Sequence, residues 1–296
     1  VKRALVALLA IVLGLSASAV ATQITVLYTN DLHVRLNRLD SLTQQIEAER
    51  DRSDALLLLD AGDTWQDFRT PLAAVRGADG MVEWMNAVRY DAMALGNHDF
   101  YWGGRRLDQL IGQADFPVLC ANLRPIDGGS TAFSASTRLE KGDLTILVIG
   151  LTTPTYFPYA DYPWLRFEDA AQCLTREFDA QDEPADLVVC LCHLPVGVAR
   201  RLATQVPGID LFVTGHSHET TPVPVRSGQS LIVQSGAFGR YIGRLVLDVE
   251  GPASPPSVIT NDLLPTETAP VQGDRGPFRF AVAMLALALA AALTFF

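Results

Sequence analysis

Ala55-Leu56-Leu57-Leu58-Leu59-Asp60-Ala61-Gly62-Asp63 is an unbroken apolar run that stops abruptly at two carboxylates and a glycine. A strand with one face in water alternates apolar and polar residues; one covered on both faces reads as a continuous apolar run. Ala55–Leu59 is therefore predicted to be a strand in the interior of a sheet with layers on both sides. The same reading applies to Ile24–Tyr28, Ala92–Leu95, Thr145–Gly150, Leu187–Cys192 and Leu211–Thr214. Leu231–Ser235 and Gly243–Val249 are predicted to be strands near the end. Helical spacing appears over Arg35–Arg52, where Leu36, Leu39, Leu42 and Ile46 form one stripe, and over Met81–Val88 and Glu168–Asp179. Strands alternating with helices specify an α/β fold. No internal repeat and no mid-chain linker is evident, so one large domain is expected.

The ends of those strands carry the chemistry. All five histidines lie in short clusters: Asn30-Asp31-Leu32-His33, Gly96-Asn97-His98-Asp99, Cys192-His193 and Gly215-His216-Ser217-His218. Asp60-Ala61-Gly62-Asp63 adds carboxylates. Open α/β sheets bind ligands in the crevice beyond the carboxyl ends of their strands, where loops from distant positions meet. Imidazole nitrogen with Asp and Asn oxygen is the donor set of zinc, manganese and iron. Two such ions need about six to eight protein ligands, which this inventory supplies. Asp60 is expected to cap its strand end, and Asp40 and Asp67 to be solvated. The four cysteines, Cys120, Cys173, Cys190 and Cys192, are expected to be buried free thiols. Cys190 and Cys192 are two apart in a strand, face one side and cannot easily pair. Cys192 as a further metal ligand beside His193 is the alternative.

Taken in order, Tyr28-Thr29-Asn30-Asp31-Leu32-His33, Ala61-Gly62-Asp63, Ala94-Leu95-Gly96-Asn97-His98-Asp99-Phe100, Cys192-His193-Leu194 and Thr214-Gly215-His216-Ser217-His218 resemble the five blocks of calcineurin-like metallophosphoesterases. Pro207-Gly208-Ile209-Asp210 and Val233-Gln234-Ser235-Gly236 are similar to the 5′-nucleotidase branch. The resemblance covers roughly Gln23 to Glu250. It implies an α/β fold of the metallo-dependent phosphatase type, a four-layer α/β/β/α sandwich of two mixed sheets. It implies two divalent ions (Zn, Mn or Fe), with Asp31, His33 and His218 on the first, Asn97, His193 and His216 on the second, and Asp63 between them. His98 would stabilise or protonate the leaving oxygen, with Asp99 orienting its ring. The reaction implied is hydrolysis of phosphomonoesters or diesters by a metal-bridging hydroxide, with nucleotides the leading class. Two competitors remain open: a thiosulfohydrolase-like or other hydrolase on the same site, and a non-catalytic, metal-stabilised surface binding module. Val34 stands where this branch often has Gly, and Tyr101 where it often has Asp. Two-domain 5′-nucleotidases hold the nucleoside with a C-terminal domain; here linker and tail are expected soon after Glu250, so nucleotide specificity is not carried over from the resemblance. Trp65, Trp102, Tyr156, Phe157, Tyr159, Tyr162 and Trp164 are candidates for a local aromatic wall, packing of a long loop being the alternative.

The termini set the expected location. Lys2-Arg3, an apolar run from Ala4 to Leu15 and Ser16-Ala17-Ser18-Ala19-Val20-Ala21 have the form of a signal peptide over residues 1–21, an uncleaved anchor being the alternative. The catalytic domain is expected over 22–262 and a linker over 263–277. A hydrophobic tail, residues 278–296, is expected to anchor the chain or act as a sorting signal; its uncharged stretch from Phe280 would reach about 26 Å. The protein is thus expected to be exported, periplasmic or at the cell surface, and tethered to a membrane through that tail. The net charge of −10 argues against a nucleic-acid polymer as partner, so a small phosphorylated substrate is expected.

Overall fold

The computed structural model describes residues 21–67, 71–252 and 254–268. The expected signal peptide (but for Ala21) and the hydrophobic tail lie outside those residues. Among the described residues no helix is long and apolar enough to cross a membrane.

Two six-stranded mixed sheets lie face to face. In the first, β1 (Thr22–Thr29), β2 (Leu56–Asp60), β3 (Ala92–Ala94) and β4 (Val118–Leu119) run parallel. The other strands of this sheet, β13 (Tyr241–Val249) and β14 (Ser257–Pro265), extend it antiparallel beyond β1. In the second, β7 (Leu144–Leu151), β9 (Leu187–Cys192), β10 (Leu211–Thr214) and β12 (Ser230–Val233) run parallel. They are flanked by β6 (Ser136–Lys141) and β11 (Val225–Ser227), both antiparallel to their neighbours. A small ribbon pairs β5 (Leu123–Pro125) with β8 (Leu165–Phe167). Helices α1 (Leu39–Arg50), α2 (Pro71–Ala87) and α3 (Gly104–Gln113) follow strands of the first sheet or its surroundings, and α4 (Ala170–Asp179) and α5 (Val196–Gln205) those of the second.

The pleat explains the continuous apolar runs. Leu57 and Leu59 point into an inter-sheet core with Ile146, Val148, Val189, Leu191 and Val213. Their neighbours Leu56 and Leu58 point outward onto a cluster containing Leu42 and Ile46 of α1 and Met81 and Met85 of α2. On the second sheet, Val188, Cys190 and Cys192 face outward to Cys173 and Leu174 of α4 and Ala199 and Leu202 of α5. The result is the expected four-layer α/β/β/α sandwich. All four cysteines are buried free thiols. Cys192 belongs to the helix-facing side and is no ligand candidate, because the pleat turns it away from the face shared by the sheets.

Two boundaries differ from the sequence reading. The second helix starts at Pro71 rather than near Met81. Gly77 and Gly80 interrupt its apolar pattern, and a Cβ at Gly77 would meet Val34 Cγ1 at 2.2 Å. The globular part also extends past residue 262. Strand β14 runs to Pro265, and the following Thr266 is buried, with its N–H donated to Arg240 O at 2.9 Å. Asn261 sits in this edge strand and ties it inward, accepting from Tyr28 Oη at 3.2 Å and donating Nδ2 to Thr221 O at 3.0 Å.

Candidate metal centre

Every predicted cluster follows a parallel strand of one sheet or the other, so all five meet beyond the same end of the sandwich. Backbone hydrogen bonds tie the loops of the first sheet in parallel: Asp31 N to Gly62 O (2.8 Å), His33 N to Asp63 O (3.0 Å) and Val34 N to Thr64 O (3.0 Å). Other bonds join the two sheets. His216 N donates to Asp31 Oδ2 at 3.0 Å, and Phe238 N donates to Asp31 O at 2.7 Å. Asn30 Oδ1 accepts from Ser235 N at 2.9 Å. Asp60 holds its strand end as expected, accepting from Thr29 Oγ1 (2.6 Å), Thr64 Oγ1 (2.8 Å) and Gly62 N (3.0 Å). Burial pushes its carboxyl up to about 7 against those donors.

The loops are tight enough to force unusual backbone. Asp31, His33, Asp63, His216 and His218 have φ of 51°, 46°, 57°, 70° and 57°, in the left-handed region. That conformation costs an L-residue roughly 1–2 kcal/mol. Val34 shares it at 54°, which accounts for glycine being the common residue there in the family resembled above. Gly96 needs its missing side chain, since a Cβ would lie 2.1 Å from Asp63 Oδ1.

The donor atoms face one another. Asp31, His33 and His218 bring their ligand atoms within 4.8 Å of one another; so do Asp63, His193 and His216, and so do His33, Asp63 and His98. Asp63 belongs to groups on both sides, which suits a shared ligand. Asn97 Oδ1 lies 3.0 Å from His216 Nδ1, a separation that suits a hydrogen bond or a common ion. All seven expected ligands are thus brought to one place.

The proton inventory argues for cations there. His193 Nδ1 is 2.7 Å from Ala61 O. A carbonyl only accepts, so Nδ1 carries the hydrogen and Nε2 presents a lone pair. That lone pair faces Asp63 Oδ2 at 3.0 Å and Asp31 Oδ1 at 3.9 Å, inside the protein. His33 Nδ1 likewise donates to Gln66 O at 3.0 Å, turning Nε2 toward Asp31 Oδ1 at 3.8 Å. Among the described residues, His193 Nε2, Asp31 Oδ1 and Asn97 Nδ2 are buried without hydrogen-bond partners. Donor atoms about 2.1 Å from one divalent ion lie about 3 Å from each other, so the residues fit such ions. The two carboxylates draw positive charge to His193 Nε2: burial opposes a second proton on His193, but Asp63 and Asp31 outweigh it and lift the imidazole to about 10, so the Nε2 lone pair takes up either a proton or a cation. Burial likewise opposes charge on Asp63, yet His193, then His98 and His33, hold it well below the usual carboxylate range. Burial lowers His33 and His216, favouring the neutral form that ligates.

A cavity of about 410 Å³ opens over these atoms, lined by His33, Asp63, Asp67, Asn97, His98, Tyr156, His216, His218 and Phe238. Asp67 corrects the expectation of a solvated side chain: it is buried in this wall and ion-paired with Arg35 at 3.0 Å. Asp99 is corrected too. Its oxygens accept from Asp63 N, Gly96 N and Trp65 N, each at 2.9 Å, so it braces two loops rather than the His98 ring. The side chain at His98 Nδ1 is instead Gln66, with Oε1 at 3.3 Å.

Of the aromatic candidates, Trp65, Phe157 and Tyr162 are core residues, and Phe157 and Tyr162 pack on Phe100. Tyr156 reaches the site, 75 % exposed and 6.3 Å from the His216 ring, its carbonyl accepting from Tyr101 Oη. Phe238 was not foreseen. It sits 5.1 Å from the His218 ring and 5.4 Å from that of His33, with the Arg35 and Arg240 guanidiniums 5.0 and 5.8 Å from its centroid. Its only signal in the sequence was a position just beyond a strand end, shared with many loop residues.

Residues 24–220 match the family model described as calcineurin-like phosphoesterase. A snake venom 5′-nucleotidase from Crotalus adamanteus is 31% identical over 275 residues, covering 78% of this chain and 46% of the relative. The chain therefore spans about half the length of the curated relatives it matches. A putative 5′-nucleotidase from Staphylococcus aureus superposes with a TM-score of 0.70 at 25% identity, covering 86% of this chain and 56% of the other. A sulfate thiohydrolase from Thermus thermophilus does so with a TM-score of 0.71 at 25% identity, covering 83% and 58%.

Proposed function

The chain belongs to the calcineurin-like phosphoesterase family, and from that premise we propose that it hydrolyses phosphate esters at a centre of two divalent ions, with nucleotides the leading substrate class. The observation that carries this reading is the shared position of Asp63 among the lone pairs of His33, His193 and His216. Asp31, His33 and His218 would hold one ion, Asn97, His193 and His216 the other, and Asp63 both. Such ions supply positive charge to the phosphoryl oxygens and make bound water acidic enough to act near neutral pH.

The chain's own residues do the rest. Two carboxylates among seven donors leave positive charge for a phosphate, because Asn97 is neutral where a third carboxylate would cancel it. His98, half-buried at the cavity wall, donates a proton or a hydrogen bond to the departing oxygen. Tyr156 and Phe238 give the ion site aromatic flanks within one chain, one beside His216 and the other beside His218. A base or sugar ring packed there would be worth about 0.5–1.5 kcal/mol per aromatic contact beyond area. Nucleotide-named relatives support this class. Export to a periplasmic or surface location is supported by the basic–apolar–small pattern of residues 1–21.

The test is phosphate release from nucleotides, sugar phosphates and phosphodiesters, with added manganese or zinc and with chelator. Chelator-sensitive turnover, highest on nucleotides, is expected. The thiohydrolase-like neighbour makes a sulfur-linked sulfate ester the informative extra substrate. Turnover of that compound alone would overturn the phosphoester reading. Bound metal with no turnover of any compound would favour a binding module.

A further inference from the structure

The geometry points to Gln66 as the residue that positions His98, fixing both its tautomer and its aim at the departing oxygen. This rests on the phosphoesterase reading for its consequence but not for its geometry. The neighbouring carboxylate is committed elsewhere, since Asp99 takes three backbone N–H groups. Gln66 Oε1 lies 3.3 Å from His98 Nδ1. An amide oxygen only accepts, so Nδ1 carries a hydrogen in both the neutral ring and the imidazolium; Nε2, turned to the site, holds the transferable proton in the imidazolium and a lone pair once that proton has gone to the departing oxygen. There Nε2 lies 3.9 Å from Asp63 Oδ2.

Gln66 serves a second ring at the same time. Its backbone carbonyl accepts from His33 Nδ1 at 3.0 Å. One residue therefore sets a metal-ligand candidate through its main chain and the leaving-group histidine through its side chain. The two rings meet edge to face, 4.8 Å apart. Tyr101, standing where the family resembled here often has Asp, packs edge-on against His98 at 5.3 Å and gives lateral support. Gln66 is itself held. It is 8 % exposed, and the preceding Trp65 is gripped by its N–H on Asp99 and its carbonyl on Trp102 Nε1 at 3.0 Å. The device is neutral, so it orients the imidazole without adding a third negative charge beside Asp63 and Asp67.

The split between main chain and side chain makes the claim testable. Gln66→Ala removes only the bond to His98, and Gln66→Glu keeps an oxygen at the same reach. In zinc-loaded protein with ¹⁵N-labelled histidine, the His98 Nδ1–H signal is expected in the wild type and in Gln66→Glu and lost in Gln66→Ala. The His33 signal and the bound metal should persist in all three. On an alkyl phosphomonoester, kcat of Gln66→Ala should fall about 10- to 100-fold with KM within about twofold. On p-nitrophenyl phosphate, whose leaving group departs without a proton, the loss should be under about threefold. Gln66→Glu should recover most of the alkyl-ester rate.

A His98 Nδ1–H signal unchanged in Gln66→Ala would overturn the assignment, as would loss of the His33 signal or of metal. Equal losses on both esters would overturn its catalytic consequence. If no phosphoester is turned over by the wild type, the NMR pattern still decides whether Gln66 sets the ring, and the failure belongs to the phosphoesterase reading.

Discussion

Single residues at this site sit where their side chains are needed and their backbones are not at ease. His218 shows it cleanly: φ is 57° and the side chain is 40 % exposed, so little packing is lost when it is cut back. In ordinary helix or strand positions glycine is less stable than alanine by roughly 0.5–1 kcal/mol. Here the order should reverse, with His218→Gly more stable than His218→Ala by about 1 kcal/mol, because only alanine retains the left-handed penalty. Urea unfolding of the two metal-free variants measures it; alanine equal or better would show that the loop relaxes. The seven donors were legible in the sequence because each belongs to a short block of unusual composition after an apolar strand. Gln66 and Phe238 were not. An amide two residues past a turn, or a phenyl ring beyond a strand, looks like any loop residue until the loops are folded onto each other. Asp99 misled for the converse reason: adjacency to His98 in sequence suggested a partner, while the turn at Asp99–Trp102 points its carboxylate at backbone N–H groups.

At the scale of elements, the central strands were readable because burial on both faces leaves no choice but apolar residues. Edge elements were harder. Strand β6 is half-exposed along its length, and α5 buries Ala199 and Ala203, which weigh little in an apolar stripe. The start of β10 carries a group whose ionisation acts on the fold. Asp210 accepts Val188 N–H at 2.8 Å, tying two parallel strands, and burial pushes its carboxyl from 3.8 up to about 6. Below about pH 4 folded and unfolded chains both hold this proton. As pH rises toward 6 the unfolded chain releases it first, so the folded form binds more protons and loses stability. Asp210→Asn keeps an acceptor for Val188 and removes the charge. It should raise stability by about 1–3 kcal/mol at pH 8 and change it little at pH 4. Denaturation midpoints at the two values check this; an equal gain at both would assign the effect to packing.

The whole molecule places its charge problem at one end. Asp31 and Asp63 are buried together with lone-pair-bearing imidazoles, and the sandwich below them is apolar through three core layers. Ions that bind only the folded chain stabilise it by about 2.7 kcal/mol each at a hundred times their dissociation constant. For a domain of this size that is about 5–10 °C per ion, so chelator should lower Tm by that amount or more and re-added metal should restore it. A melting temperature indifferent to chelator would remove the centre from the stability of the fold. The left-handed backbone of Asp31, His33, Asp63, His216 and His218 bears on how this lineage can drift. At each of these five positions glycine is the conformationally easier residue, so the fold alone does not retain the ligands. Only selection for what they hold can. A descendant released from holding ions there is expected to shed these side chains early while keeping its sheets.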